Sequence, residues 1–509
     1  MSKKPAVLAI DLGTSSVKVL VAGQSGEVFG RGTQSYPVAR PQPGFAEQDP
    51  ELWWTATRQA VAQAMATSPA VRIESIGLSG QMHGTVLIGA SGQPLRPAII
   101  WEDTRSGAQA AEIENRFGRQ RFIETTGSAA ASGFQAPSLL WVQQHEPQIW
   151  DQTRHVLLPK DYLRFRLSGD FVTEPSDASS TVLLDVKLRQ WSSDVLKAIH
   201  ISPSQLPAIV PSDSESSRLS RVPAQELGLR PGIPIAGGAG DAPAAALASG
   251  GADPHTLVLT ISSGSQAIIA TNMVLPDSKG RIHSWCHCLS PETGAGWYMM
   301  AATMVSGLAM RWLSQDILAL PAPEHHLQLE RWSKEIAPGS AGLIFVPYLA
   351  GERTPHMDPH ARGIFLGLTT SHDRRHLTRA VMEGSIFAIH QAYTVLTSKS
   401  PAPERIVLAG GGARSAAWTQ IVADMFDLPV YPNQEPDGSA LGAAILAGAS
   451  TGWFSAQKGA DNWLQVADSV APHASATATY RQLAEVFNAA YAKHRDDFRT
   501  LERASSHTI

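Results

Sequence analysis

Residues 6–23 read AVLAIDLGTSSVKVLVAG, and this stretch decides the fold. Two apolar runs, at 6–10 and 17–22, are separated by a short polar turn, and a third segment, SGEVFGRG at 25–32, follows after another turn. Short apolar runs bounded by Gly, Ser, Thr and Asp are typical of strands joined by tight turns. The stretch therefore predicts a three-stranded meander.

The same scheme occurs a second time further along the chain. Residues 256–261 read TLVLTI, the turn SSGS follows, and residues 266–271 read QAIIAT. Self-similarity of this kind indicates a repeated structural unit. We therefore predict a duplicated body with two lobes, divided near residue 250 into domains 1–250 and 251–509.

Further apolar runs alternate with segments of helical pattern. Strands alternating with helices predict an α/β fold, in which largely parallel sheets are covered by helices. The predicted strands are 73–78, 233–236, 343–348 and 405–408, and the predicted helices are 50–66, 242–249, 375–396 and 440–448.

Composition excludes several classes of protein. The 509 residues contain 41 Lys and Arg against 45 Asp and Glu, a net charge of −4, which argues against a nucleic-acid partner. No apolar run is long enough to span a bilayer. The two cysteines, Cys286 and Cys288, are one residue apart and offer no disulfide framework. We therefore predict a cytoplasmic protein without a membrane partner.

Three turns rich in glycine and hydroxyl groups follow predicted strands. They read DLGTSS at 11–16, SSGS at 262–265 and GGGARS at 410–415. Backbone N–H groups that converge in such turns bind anions, and together the three turns favour a polyphosphate ligand. In this interpretation Asp11 binds Mg²⁺, which prefers oxygen ligands. The alternative is that Asp11 only initiates a turn by accepting a backbone hydrogen bond.

Asp241 follows the glycine-rich segment GGAG at 237–240 and precedes an alanine-rich helical run. The position is typical of a helix N-cap, which by itself explains a carboxylate there. A carboxylate that is ionised at neutral pH, at the mouth of a glycine-lined cleft, can also accept the proton of a substrate hydroxyl during phosphoryl transfer. Both interpretations remain open at this point.

Two segments combine polar groups with flat apolar surface, as sugar sites do. Met82 and His83 lie in SGQMHG, and Trp101 and Asp103 lie in WEDTR. The alternative is that Met82 and Trp101 are core residues and His83 is a structural turn residue. A metal site at 283–288, HSWCHC, is not favoured, because its cysteines lack the two-residue gap of common zinc knuckles.

Considered together, these segments resemble the FGGY family of carbohydrate kinases, most closely its bacterial xylulokinases. The stretch 363–383 matches the C-terminal signature of the family throughout. The other motifs that carry the resemblance are AIDLGTSSVKVLV, EQDPELWW, GLSGQMHG, RPAIIWEDTR, LLPKDYLRFRLSG, GGAGDAPAAA, HSWCHCL, FVPYLAGERTPH and LAGGGARSAAW.

The resemblance implies two ribonuclease H-like, actin-type domains with a cleft between them, and a homodimer. The sugar would bind mainly to the first domain and ATP with Mg²⁺ mainly to the second. The implied reaction is transfer of the γ-phosphoryl group of ATP to the terminal hydroxyl of D-xylulose, a small-molecule substrate.

The resemblance also implies roles for individual residues. Asp241 would be the general base, and Asp11 would be the metal and phosphate residue. The remaining implied contacts are Met82 and His83 for the sugar, Thr14, Ser15, Ser263 and Gly264 for the phosphates, and Gly307, Gly410, Gly411, Gly412 and Ser415 for the adenosine. Trp101 and Asp103 are predicted as sugar contacts from their residue types alone.

One departure from the family pattern bears on the substrate. Xylulokinases often have Asn directly after the catalytic Asp, whereas this chain has Ala242. A kinase for another ketose or a polyol is therefore an alternative, and an ATPase switch of the actin or Hsp70 kind is a more distant one. The resemblance assigns no role to Glu352, Arg353 and His356.

Overall fold

The computed structural model describes residues 3–321 and 325–505 and has an α/β fold. Two compact units are present. The first extends to Ala252 and includes Ala270–Tyr298 and Asp437–Leu464, and the second comprises Asp253–Ile269, Met299–Pro436 and the chain from Gln465 onward. The boundary at residue 250 stays a prediction. In the described ranges no helix is long and apolar enough to cross a membrane.

The chain up to Ala252 contains most of the short strands. Its strands are β1 (Lys4–Leu12), β2 (Ser16–Gly23), β3 (Val28–Ser35), β4 (Glu47–Gln48), β5 (Val71–Gly80), β6 (Val86–Ile88), β7 (Ala98–Ile99), β8 (His155–Leu157), β9 (Val172–Thr173), β10 (Leu184–Asp185), β11 (Gln190–Trp191), β12 (Ala208–Ile209), β13 (Glu215–Arg218), β14 (Pro234–Ala236) and β15 (Ala239–Gly240). Its helices are α1 (Pro50–Thr67), α2 (Gly107–Phe117), α3 (Arg119–Thr126), α4 (Gln135–His145), α5 (Pro147–Gln152), α6 (Pro159–Ser168), α7 (Pro175–Ser180), α8 (Ser193–Ala198), α9 (Arg221–Leu227) and α10 (Asp241–Ala248).

The chain after Ala252 contains longer helices. Its strands are β16 (Thr256–Ile261), β17 (Ser265–Thr271), β18 (His283–Cys286), β19 (Trp297–Thr303), β20 (Ile344–Val346), β21 (Ile364–Leu366), β22 (Arg405–Ala409) and β23 (Val430–Pro432). Its helices are α11 (Gly307–Arg311), α12 (His325–Lys334), α13 (Arg374–Thr397), α14 (Ala416–Phe426), α15 (Gly438–Ser450), α16 (Ala456–Trp463) and α17 (Ala474–Ser505), and Trp312–Ile317 forms a π-helical turn.

The predicted meander forms the first sheet. β1 pairs antiparallel with β2, and β2 pairs antiparallel with β3. On its other side β1 pairs in parallel with β5, and β5 pairs in parallel with β14. The strand order is therefore β3-β2-β1-β5-β14, with β13 beyond β14 at the edge.

The second sheet repeats this order. Five of its strands run β19-β17-β16-β22-β23. β16 pairs antiparallel with β17 and in parallel with β22, and β22 pairs in parallel with β23. Both sheets thus have their first strand in the centre, with two later parallel strands on one side. The duplication inferred from the sequence is a duplication of this topology.

Helices cover both faces of the first sheet. On one face the sheet packs with α1, whose Trp53 and Ala60 are fully buried. On the other face α15 approaches closely, since a Cβ atom at Gly77 would lie 2.0 Å from the carbonyl oxygen of Ala443. No side chain fits in that space, so glycine at position 77 allows the helix to contact the strand backbone.

One predicted strand lies outside the large sheets. The apolar run 343–348 was expected to be a buried strand of the second lobe. Its strand is shorter, the buried Ile344–Val346, and it pairs with β21 in a separate two-stranded sheet. Short apolar runs reveal burial but not the strand with which they pair, because pairing depends on distant residues.

Candidate active site

The predicted residues of the first lobe lie at one edge of the first sheet. β1 and β5 are parallel, with Asp11 opposite Ser79 in the register. β15 pairs with the end of β5, so that Gly240 is opposite Gly80. Residues directly after these strands therefore lie together, as is usual at the carboxyl ends of parallel strands.

Met82 contacts the backbone beside Asp241. A Cβ atom on Gly240 would lie 2.8 Å from Cγ of Met82, so the methionine side chain packs directly against this glycine. Met82 is buried. The structure thus brings the predicted sugar residue Met82 and the predicted base Asp241 together.

Asp241 is the first residue of α10, and Gly240 is the N-cap. Asp241 is therefore one residue past the N-cap position expected for it, and its carboxylate accepts a hydrogen bond from the first-turn N–H of Ala242 at 2.8 Å. The pKa of Asp241 is raised to about 7, chiefly by burial and next by the negative charge of Asp11. A carboxyl group with a pKa of about 7 exchanges protons near neutral pH.

Asp11 is buried near the end of β1, and its Oδ1 atom has no hydrogen-bond partner among the described residues. The pKa of Asp11 is raised to about 6, chiefly by burial, although the nearby Lys18 opposes the shift. Ser79 also lowers the pKa of Asp11 through a side-chain hydrogen bond, and Gln81 Oε1 lacks a partner within the described part of the chain. A carboxylate and neutral oxygens with unused lone pairs fit Mg²⁺ and its bound water.

The imidazole of His83 has a fixed orientation. Its Nδ1 atom lies 2.9 Å from the carbonyl oxygen of Ser180, and its ring stacks on Phe134 with 4.2 Å between centroids. Because a carbonyl oxygen only accepts, Nδ1 carries a hydrogen, and in the corresponding neutral tautomer the lone pair is on Nε2. His83 thus offers an acceptor of the kind that a sugar hydroxyl needs.

The two other predicted sugar residues make contacts within the protein. Trp101 Nε1 donates a hydrogen bond to Thr14 Oγ1 at 2.8 Å, which joins it to the first phosphate turn. Asp103 is buried, and its carboxylate accepts from the N–H of Ala46 at 2.6 Å and from the guanidinium of Arg105. These contacts give Asp103 a structural role, and its contact with a sugar stays a prediction.

The predicted nucleotide residues line two cavities of the second unit. One has a volume of about 580 Å³ and is lined in part by Gly307, Gly411 and Ser415. The other, of about 200 Å³, is lined by Ser263, Gly412 and again Gly307 and Gly411. The two cavities share Gly307 and Gly411 in their linings, and together they have room for a nucleotide.

Gly264 and Gly410 do not line these two cavities. A Cβ atom at Gly264 would lie 2.4 Å from the carbonyl oxygen of Thr303, and one at Gly410 would lie 2.5 Å from that of Ile261. Both glycines therefore allow backbone segments to approach each other, and their contact with a ligand stays a prediction.

Sequence reasoning missed several residues of the larger cavity. Trp418 lies in the quoted motif LAGGGARSAAW, directly after the predicted turn, and its position there was a usable signal. Arg414 lies within the predicted turn 410–415, and Met382 lies within the matched stretch 363–383. The other missed residues belong to no motif quoted from the sequence; they are Met310, Arg311, Gln315, His325, His326, Leu327, Leu329 and Glu330.

The segment of Glu352 and His356 shapes a loop. Glu352 Oε1 accepts from the N–H groups of Met304 and Arg353 at 2.9 and 2.7 Å. His356 stacks on Tyr491 with 3.7 Å between ring centroids. These contacts order the chain within the second unit.

A buried ionic cluster lies behind the backbone next to Asp241, the predicted base, and was not predicted from the sequence. Lys160 Nζ lies 2.5 Å from Asp161, 3.5 Å from Asp177 and 3.6 Å from Glu174, and all four side chains are fully buried. Glu174 accepts from the first N–H groups of α7. Ser176, in that first turn, accepts a hydrogen bond from the N–H of Gly240, the residue before Asp241. The cluster therefore orders the backbone that positions the carboxylate.

The sequence matches two family models in succession. One is the N-terminal domain of the FGGY family of carbohydrate kinases, over residues 6–248, and the other is the C-terminal domain of that family, over residues 261–451.

Individual relatives agree with this match. The chain is 32% identical to a xylulose kinase from Staphylococcus xylosus, covering 95% of this chain and 99% of the relative. It is 30% identical to a gluconokinase from Bacillus subtilis (strain 168), with 88% of each chain covered. The fold resembles the crystal structure of a xyloylose kinase from Brucella ovis, with a TM-score of 0.90, 34% identity and coverage of 96% and 99%.

Proposed function

The chain belongs to the FGGY family of carbohydrate kinases, and from this premise we propose that it phosphorylates D-xylulose with ATP. The products are D-xylulose 5-phosphate and ADP. The observation that carries the proposal is the position of Asp241, with a pKa of about 7, beside Met82 at the edge that also contains Asp11.

In the proposed reaction the terminal hydroxyl oxygen of the sugar forms a bond to the γ-phosphorus. The bond between that phosphorus and the oxygen bridging it to the β-phosphate breaks, and ADP leaves. Asp241 accepts the hydroxyl proton as the new bond forms. Its carboxylate is oriented for this by the hydrogen bond from the N–H of Ala242.

Other groups of the chain bind and orient the reactants. His83 accepts a hydrogen bond from a sugar hydroxyl, and Met82 provides apolar contact to its carbon atoms. Thr14, Ser15 and Ser263 are the proposed hydrogen-bond donors to phosphate oxygens. Asp11 would hold Mg²⁺ directly or through water, and the bound ion supplies positive charge at the phosphates. The remaining proposed nucleotide contacts are Gly264, Gly307, Gly410, Gly411, Gly412 and Ser415.

D-xylulose is proposed because relatives of full length, from Staphylococcus xylosus and Brucella ovis, are xylulose kinases. Ala242 favours a second candidate. Its methyl group offers no hydrogen bond beside Asp241, and the gluconokinase relative has a different acceptor. A kinase for another ketose, a polyol or a sugar acid is therefore the alternative.

The test is ADP production from MgATP by the purified protein, without sugar and then with D-xylulose, D-ribulose, L-xylulose, xylitol, erythritol and gluconate. Selective stimulation by D-xylulose supports the proposal. Selective stimulation by another member retains the mechanism and changes the substrate. ATP turnover that ignores every sugar contradicts the proposed function.

A further inference from the structure

Four aromatic side chains of the first unit form a continuous cluster around His83, here called the aromatic cluster. His83 stacks on Phe134, and the ring of Trp285 lies 5.5 Å from that of His83 and 5.9 Å from that of Phe134. His283 stacks on Trp285 with 4.2 Å between centroids, and its ring lies 5.9 Å from that of Phe134. The predicted sugar residue His83 is thus one member of a larger apolar surface.

The strand that carries Trp285 is firmly attached to the first unit. Ser284 donates its N–H to the carbonyl oxygen of Gly127 at 2.8 Å, and Cys286 donates its N–H to Ser179 Oγ at 3.3 Å. His283 Nδ1 lies 2.8 Å from Ser128 Oγ. Ser179 is adjacent to Ser180, whose carbonyl oxygen orients His83. The strand of Trp285 and the ring of His83 are therefore both held by the adjacent residues Ser179 and Ser180.

The indole N–H of Trp285 is an unusual donor. The side chain is fully buried, and Nε1 has no acceptor in the described parts of the chain. Buried tryptophan N–H groups usually find an acceptor, because desolvating a donor without replacing its hydrogen bond costs free energy. Beside Asp241, the methyl group of Ala242 provides no polar contact to a substrate.

We infer that Trp285 is a specificity-determining residue, whose Nε1–H donates a hydrogen bond to an oxygen of the bound sugar while its ring packs beside His83. This inference rests on the proposed function, since the ligand is the sugar of the same site. The indole, with His83, then selects sugars that place an oxygen at the donor and carbon-bound hydrogens on the aromatic surface.

The first test is the variant W285F, which removes the N–H and retains an aromatic ring. We expect the KM for the sugar to rise about tenfold, the effect of losing one hydrogen bond, with little change in the KM for MgATP or in kcat. W297F is the matched control, because Trp297 Nε1 already donates to the carbonyl oxygen of Val186 at 2.7 Å. Its sugar KM should stay close to that of the parent. Equal changes in both variants, or an unchanged sugar KM in W285F, would overturn the inference.

The second test needs no phosphoryl transfer. Labelling the tryptophans with ¹⁵N at the indole gives one N–H resonance for each, and the resonance missing from the W285F spectrum is that of Trp285. We expect it to shift when the preferred sugar is added without nucleotide, and to shift less with an analogue that lacks one oxygen. A sugar that is phosphorylated but leaves this resonance unmoved overturns the inference and retains the proposed function. A sugar that shifts the resonance but is not phosphorylated supports the contact with Trp285 and contradicts the proposed function. If no sugar shifts the resonance and none is phosphorylated, both the inference and the proposed function are overturned.

Discussion

The Nδ1 atom of His83 lies 2.9 Å from the backbone carbonyl oxygen of Ser180. This contact places the ring hydrogen on Nδ1 and leaves the lone pair on Nε2, so the side chain accepts rather than donates at Nε2. His83 also has a φ of 72°, in the left-handed region that few residues other than glycine and asparagine adopt readily. The backbone conformation of His83 and the orientation of its ring are thus both fixed in the turn that follows β5.

The variant H83N tests the role of this acceptor. Asparagine tolerates a positive φ, so the turn should be retained while the imidazole is lost. We expect the KM for the sugar to rise at least about tenfold, because a hydroxyl loses its acceptor and an apolar surface is lost. Steady-state kinetics with each substrate varied in turn would measure this. If the KM for ATP rose while that for the sugar stayed constant, the assignment of His83 to the sugar would be wrong.

Removing the proposed proton acceptor should affect the chemical step. We expect D241N to lower kcat by about 10²–10⁴-fold, the usual contribution of general base catalysis, with both substrates still bound. Calorimetric titration and single-turnover kinetics would separate binding from chemistry. D170N is a matched control, because it makes the same Asp-to-Asn substitution at an exposed position of the first unit. A loss of activity under about tenfold in D241N would contradict the general base assignment.

Two glycines of one turn allow a paired test of the nucleotide site. A Cβ atom at Gly412 would lie 2.5 Å from Cβ of Ile261, whereas one at Gly411 would have no neighbour nearer than 3.9 Å. We therefore expect G412A to displace the turn and raise the KM for MgATP severalfold more than G411A does. The KM for the sugar should change little in either variant. Equal effects of the two substitutions would show that the space at Gly412 is not what positions the turn.

His287 should make the fold sensitive to acid. The pKa of His287 is lowered to about 4, chiefly by burial and next by the charge of Arg189, against an unfolded value near 6.5. Between these values the unfolded chain binds a proton that the folded chain does not, so this stabilising contribution is complete above pH 6.5 and is lost as the pH falls toward 4. From pH 7 to pH 5 the loss should be about 2 kcal/mol.

The variant H287N isolates that effect. In the parent protein His287 Nδ1 accepts the N–H of Leu289 at 3.1 Å, and the amide oxygen of asparagine can accept in its place without titrating. We expect the Tm of the parent to fall more steeply than that of H287N as the pH is lowered from 7 to 5. Parallel Tm curves would contradict the predicted titration.

Much of the fold could be read from local patterns. The run 256–261 is a strand with those bounds, and the predicted helix 375–396 is Arg374–Thr397. The spacing of apolar residues in such segments depends only on which face is buried, so the sequence alone reveals it. The turns after β1 and β22 were also predictable. Their glycine, serine and aspartate residues favour turns, and residues of these types also bind ligands.

The sequence by itself determined the alternation of strands and helices, the duplication, and the family, since these depend on residue order. Only the tertiary structure decided that Asp241 is the first helical residue with a raised pKa, and that Lys160 is surrounded by three carboxylates. It also decided that Trp285 lies beside His83, although 202 positions separate them in the chain. Distant residues become buried and come into contact only when the helices and strands pack. The neighbours that desolvate a group, shift its pKa or surround a donor without accepting its hydrogen bond come from other parts of the chain.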